Sequence, residues 1–187
     1  MEKLNEPMKL LFTKVREVPS PTRANQGDAG IDFYIPNITT EDLFDIQVNF
    51  EQAYKKSIWV FGDTLIIEPG GRVLIPSGIK VLLEPEDSAL IAANKSGIAT
   101  KTGLLYTAEV IDSPYLGEVH IGIFNSGNRP VPLTLFNITK PTKIMQFLHI
   151  PVFSSQPIMI DNKEYELKSI QKNSTRGEGG FGSSDNK

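Results

Sequence analysis

The amino-acid sequence predicts an all-β fold, a sandwich or barrel closer to a jelly roll than to any parallel-sheet arrangement. Thirteen prolines and fifteen glycines cut the 187 residues into short apolar runs, the pattern of many short strands joined by turns. Several runs alternate with period 2: Val119, Ile121 and Ile123 fall on one side of a strand, and Glu118, His120 and Gly122 on the other. Helices find little room between them.

In chain order the predicted strands are Leu10 to Val15, Ile31 to Ile35, Ile58 to Phe61, Thr64 to Ile67, Arg72 to Ile75 and Ile79 to Leu83, then Ala89 to Ala93, Leu104 to Ile111, Glu118 to Phe124, Val131 to Phe136 and Ile144 to Val152. The segment from Asn37 to Gly62 reads two ways. Thr39 would cap a helix with Glu41 and Asp42 in its first turn and Lys55 and Lys56 at its end. Against this, Phe44, Ile46, Val48 and Phe50 alternate as a strand would; a short helix is favoured narrowly over a strand hairpin. The stretch from Asn173 to Lys187 has one large apolar residue, Phe181, among Gly, Ser and charges, and reads as a mobile arm. With about 150 residues per domain as the prior, the chain divides into one β core over residues 1–172 and an arm over 173–187.

Composition excludes several functions. Nineteen Lys+Arg against 22 Asp+Glu give a formal charge of −3, so nothing attracts the chain to a nucleic-acid backbone or an anionic membrane. The absence of cysteine removes disulfides, thiolate nucleophiles and Cys-based metal sites, and leaves only His120 and His149 as histidine ligands. No apolar run approaches a membrane span, and Met1 to Leu10 is too charged for a secretory signal. A cytoplasmic protein is expected.

Four segments carry residues suited to nucleotide chemistry, each with a plain structural alternative. Asp28-Ala29-Gly30-Ile31-Asp32-Phe33 holds two carboxylates four apart around a glycine, a pair able to hold Mg²⁺ through its waters or simply solvated at a surface. Asn94 to Lys101 follows the apolar run ending at Ala93 and supplies Lys95, Ser96, Gly97 and Lys101; this is phosphate-binding chemistry without P-loop spacing, or a basic turn. In Val110-Ile111-Asp112-Ser113-Pro114-Tyr115-Leu116-Gly117-Glu118, a hairpin opening at Asp112 would present main-chain groups to a base edge, with Asp112 placed to orient a water. Asp, Ser and Pro are also ordinary turn formers. Gly177-Glu178-Gly179-Gly180-Phe181-Gly182 matches GxGxxG literally, but the dinucleotide motif must open a helix after a strand, and five residues remain here. What survives is a glycine-rich backbone beside Arg176, Ser183 and Ser184 that can wrap phosphates.

Taken in order, these segments resemble the trimeric deoxyuridine triphosphatase (dUTPase) family. Asp28-Ala29-Gly30-Ile31-Asp32 is similar to its first motif, Lys95-Ser96-Gly97-Ile98-Ala99 to the second and Val110 to Glu118 to the third. Lys143-Ile144-Met145-Gln146 resembles the fourth and Arg176 to Ser184 the fifth. The resemblance implies a jelly-roll-like subunit in a homotrimer, with active sites between subunits and the fifth motif lent by a neighbour's arm. It implies hydrolysis of dUTP to dUMP and pyrophosphate with Mg²⁺ on the triphosphate. Asp112 would then orient the attacking water, and Tyr115 would pack on the deoxyribose and leave no space for a 2′-hydroxyl. Main chain at Glu109, Val110, Ile111 and His120 would bond uracil. Lys95, Ser96, Gly97 and Gln146 would contact phosphates and Asp32 the metal's water shell. From the arm, Phe181 would stack on the base beside Gly182, and Arg176, Ser183 and Ser184 would hold the γ-phosphate.

The sequence departs from the family pattern in three places. Lys95 stands for the usual Arg and gives up the planar fork, Leu116 also stands for Arg, and Glu109 stands for Gly. Residues 37–62 look like an insertion. Two other functions share the scaffold: a dCTP deaminase, a family with a glutamate at the nucleobase for which Glu109 is the one candidate, and a regulatory protein docking a partner through residues 37–62, where Phe44, Phe50, Tyr54 and Trp59 offer anchors.

Overall fold

The computed structural model describes residues 7–38, 42, 57–135 and 139–174. The chain forms two compact units, Met1–Phe153 and Ser154–Lys187; the boundary expected at 172/173 falls inside the second. Eleven strands are present among the described residues: β1 (Lys9–Lys14), β2 (Ile31–Tyr34), β3 (Ile58–Phe61), β4 (Thr64–Ile67), β5 (Arg72–Glu84), β6 (Ser88–Ala93), β7 (Leu104–Tyr106), β8 (Val110–Asp112), β9 (Glu118–Asn125), β10 (Val131–Thr134) and β11 (Lys143–Pro151). They make three antiparallel sheets, in the orders β1-β5-β9-β7, β10-β4-β3 and β2-β11-β6-β8. The predicted all-β architecture is the observed one.

The core follows the alternation read from the sequence. Val119, Ile121 and Ile123 on β9 are fully buried, and Val73, Ile75, Ile79, Val81 and Leu83 on β5 face the same interior. From β2 and β11, Phe33 and Phe147 meet edge to face with ring centroids 4.7 Å apart, a geometry that aligns a ring's positive edge with its neighbour's negative face. The buried Asn125 amide stitches turns to the sheets, donating to the carbonyls of Ile67 (2.8 Å) and Arg129 (2.9 Å) and accepting from Gly127 N–H (2.9 Å).

Three expectations change. The strands expected at 72–75 and 79–83 are one strand, β5, whose register against β9 slips between Pro76 and Lys80. The strand expected from Leu104 to Ile111 breaks in two because its halves serve different sheets: Tyr106 pairs with Ile123 on β9, whereas Ile111 pairs with Leu90 on β6. Two helices also form where none was expected. In α1 (Ser96–Thr102), Gly103 ends the helix in the left-handed region at φ 77°. In α2 (Asn162–Gln171), the Asp161 side chain accepts Glu164 N–H at 2.8 Å and Lys168 pairs with Glu164 at 3.1 Å.

Of the segment set apart at 37–62, residues 39–41 and 43–56 lie outside the described residues, and with them the choice between helix and hairpin. Its end belongs to the fold: Ile58–Phe61 is β3, paired with β4, and Ile58 is core. Trp59 of the suggested docking surface is exposed at this edge. Among the described residues no helix is long and apolar enough to cross a membrane.

Candidate active site

Three strands converge to build a cation cluster. On β11, Gln146 lies between Asp32 of β2 and Ala93 of β6 in the sheet register, so the first and fourth motifs and the lead-in to the second sit side by side. Asp32 is held on its other edge too, exchanging main-chain hydrogen bonds with Thr22 (2.7 and 3.2 Å). Its carboxylate is almost wholly buried, and both oxygens are used: Oδ1 by Lys95 Nζ and Oδ2 by Lys143 Nζ at 2.9 Å. Burial pushes the Asp32 carboxyl up, but the hydrogen bonds and charges of the two lysines outweigh it and hold the group below the ordinary carboxylate range. Lys143 is raised in turn, chiefly by its bond to Asp32. Lys143 opens the segment similar to the fourth motif but carries no assigned role there, because nothing local to it shows which carboxylate it meets.

The Gln146 amide donates to the Asn94 carbonyl at 2.8 Å, and the Asn94 side chain accepts Tyr106 N–H at 3.1 Å. These bonds fix the turn that delivers Lys95, Ser96 and Gly97 at the start of α1, where the first N–H groups of a helix have no intrahelical acceptor. Lysine charge beside those donors suits an anionic ligand. Asp32→Asn should destabilise the fold by about 2–3 kcal/mol near neutral pH, since two ammonium groups lose their shared counterion. The sign follows from the lowered pKa: this stabilisation is complete above the unfolded carboxyl value of about 3.9 and disappears as pH falls through the folded one. Denaturant titrations at pH 7 and pH 3 check it, with the gap between wild type and variant narrowing at the lower pH.

The second half of the site is the hairpin from β7 through β8 to β9. Thr107 N–H donates to Gly122 (3.0 Å) and Ala92 N–H to the Glu109 carbonyl (2.7 Å), so residues 107–109 carry the chain from one sheet to another. β8 is the last strand of its sheet. With Glu109 bonded toward β6, antiparallel alternation turns the N–H and C=O of Val110 and Asp112 toward the open edge and those of Ile111 inward. The Glu109 carboxylate meets the Tyr106 hydroxyl and pushes that phenol up. Asp112 is exposed at the end of β8, and its carbonyl accepts Tyr115 N–H at 3.0 Å. The Tyr115 ring lies over Gly117, where a Cβ would come within 3.0 Å of ring Cε2 and closer still to Cζ and Oη; a larger residue there would push the ring aside. The Tyr115 hydroxyl donates to the Glu118 carbonyl at 2.9 Å. His120, on β9, bonds the same carbonyl through Nδ1 at 2.8 Å.

One chain does not bring the two halves together. Asp112 pairs with Ala89 while Lys95 lies two residues past Ala93, so they stand toward opposite ends of β6, whose stretch from Ala89 to Ala93 alone spans roughly 13 Å at 3.3 Å per residue. Arg176, Phe181, Gly182, Ser183 and Ser184 lie outside the described residues.

Comparison with known proteins gives one family. The dUTPase family model matches residues 61–185. Deoxyuridine 5'-triphosphate nucleotidohydrolase of Haemophilus influenzae is 27% identical over 180 residues, covering 95% of this chain and 95% of that protein. The enzyme of the same name from Pseudomonas syringae is 30% identical over 170 residues, 90% of this chain and 88% of its own. Among solved structures, a point mutant of the Staphylococcus bacteriophage 80alpha dUTPase with dUpNHpp superposes with a TM-score of 0.65 at 19% identity, covering 94% of this chain and 98% of that one. The native EIAV dUTPase gives 0.56 at 20% identity over 82% of this chain and 98% of its own. With two thirds of its length inside the family model and relatives matched nearly end to end, the chain belongs to the dUTPase family.

Proposed function

We infer that the protein hydrolyses dUTP to dUMP and pyrophosphate. The observation that carries this reading is the hairpin, which sets the Asp112 carboxylate beside an open strand edge and a clamped Tyr115. An edge that offers fixed main-chain donors and acceptors discriminates bases without side chains: a donor aimed at uracil O4 leaves the amino group of cytosine unsatisfied. Tyr115 packs on the deoxyribose, and Asp112 takes the proton of the water that attacks the α-phosphate. Lys95, Ser96, Gly97 and Gln146 contact the phosphates, joined by Lys143. In the arm, Phe181 and Gly182 cover the base while Arg176, Ser183 and Ser184 hold the γ-phosphate.

The separation of Asp112 from Lys95 supports a homotrimer whose sites form between subunits, one chain supplying the cation cluster and its neighbour the hairpin. Among the described residues no three His, Asp or Glu side chains come together as a metal cage, and Asp32 is taken up by two lysines. This donor set fits a Mg²⁺ that arrives on the triphosphate, not a resident ion. Bound there, Mg²⁺ neutralises phosphate charge. A water-mediated contact from Asp32 requires one of its lysine pairs to open. The test is pyrophosphate release from dUTP, dCTP, dTTP and UTP side by side, with ammonia measured for dCTP. Hydrolysis confined to dUTP is expected; ammonia from dCTP, or no preference among the four, would reject the reading.

A further inference from the structure

The root of the hairpin is built on an ion cluster in which Glu118, the last residue of the third motif, meets two residues outside every motif, Arg16 and Asp42. Glu118 opens β9 where the β5 register slips, and there Gly78 N–H has no strand partner. The Glu118 carboxylate supplies one: Oε1 accepts Gly78 N–H at 2.7 Å and Arg16 Nε–H at 3.0 Å. Gly78 sits at φ 74°, and a Cβ there would approach Val18 Cγ1 to 2.9 Å and Pro36 Cβ to 3.2 Å, so the bulge admits no other residue. Arg16 reaches past Glu118 to Asp42 Oδ2 at 2.7 Å. Its planar fork makes both contacts at once. Burial lowers the guanidinium's pKa, but hydrogen bonds to Glu118 and Asp42 and their charges raise it overall.

The same Glu118 whose side chain fills the bulge offers its main-chain carbonyl to the Tyr115 hydroxyl. Side chain and carbonyl belong to one residue, so freeing the first loosens the second. Without Arg16, a mostly buried carboxylate is left uncompensated and gains by swinging to water, which releases Gly78 N–H and lets the Glu118 peptide turn. We propose that the Arg16–Glu118 ion pair is a positioning device for Tyr115, tied through Asp42 to the 37–62 segment, and that it sets how closely the site excludes a ribose 2′-hydroxyl. The proposal rests on the reading of Tyr115 as the residue packed on the sugar.

The experiment compares kcat/KM for UTP and dUTP, with thermal midpoints, in Arg16→Gln, Glu118→Gln, their double variant, Arg16→Lys, Asp42→Asn and Tyr115→Ala. Arg16→Gln and Glu118→Gln should each raise the UTP/dUTP ratio about three- to fivefold, the range of a partly exposed ion pair. The double variant should go no further than the larger single one, because both act through one contact. Arg16→Lys, which keeps the charge, should fall between wild type and Arg16→Gln and serves if the Gln variant does not fold. A purely structural role would lower the midpoint and leave the ratio alone; that outcome, with Tyr115→Ala still raising the ratio, overturns the proposal. An unmoved ratio in Tyr115→Ala would instead overturn the sugar reading beneath it. Asp42→Asn should shift the ratio in the same direction, and a wild-type ratio there would remove the 37–62 segment from the device.

Discussion

Asp112→Asn is expected to reduce dUTP turnover by roughly 10²- to 10⁴-fold while nucleotide binding stays near normal. Asn keeps the volume of the side chain, and the turn it heads depends on the Asp112 carbonyl accepting Tyr115 N–H, a main-chain bond the substitution does not touch. Its place opposite Ala89 is set by the strand register through Glu109 and Ile111, which the substitution does not touch either. What is lost is the proton acceptor. Steady-state pyrophosphate release gives the turnover, and calorimetry with a non-hydrolysable dUTP analogue gives the affinity; near-normal turnover would reject the assignment. The placement of Asp112 and Lys95 toward opposite ends of β6 adds a sharper form. Mixed assemblies of Asp112→Asn chains with Lys95→Ala chains should recover part of the activity, since some sites then receive an intact hairpin from one chain and an intact lysine from another.

Deleting Ser174 to Lys187 should lower activity by about 10²-fold or more and leave the β fold in place. The deleted stretch carries Phe181 as its one large apolar residue, so its loss removes little burial. Ordering an arm over substrate costs about 1–2 kcal/mol per residue fixed. Charge-assisted bonds from Arg176, Ser183 and Ser184 to a γ-phosphate offset that cost, and a monophosphate has no γ-phosphate to offer. Closure would also exclude bulk water from the α-phosphate. Proteolysis after Lys172 or Arg176 should therefore be rapid in the free protein and slowed by a dUTP analogue far more than by dUMP. Equal protection by both nucleotides would remove the γ-phosphate from the arm's role.

The strands were legible wherever one face is buried and the other is not. Ile58–Phe61 and Thr64–Ile67 begin and end where the apolar runs do, and the two-residue period of β9 names its core residues directly. The break between β7 and β8 was not legible, because the run from Leu104 to Ile111 is divided by its partners, β9 and β6, and not by any residue within it. α2 did announce itself through Asp161 and Glu164, spaced as a capping box; reading the β core on to residue 172 concealed it. Motif order proposes the site's members, but their arrangement depends on long-range pairing. Arg16 meets Glu118 across 102 positions; the third motif includes Glu118, but no local pattern marks Arg16 or pairs the two.

The open edge of β8 carries a hazard as well as its proposed use. Unsatisfied main-chain groups that can read a base can equally accept a stray strand from another molecule, the first step of edge-to-edge aggregation. Length and chemistry both guard against it here. β8 is three residues long and ends in the charged Asp112, and Pro114 follows two positions later, with no N–H to extend a ladder. An intruding chain would find too few rungs to hold it, whereas a planar base needs only one or two. Lengthening this strand or replacing Pro114 would therefore trade solubility for nothing the nucleotide can use.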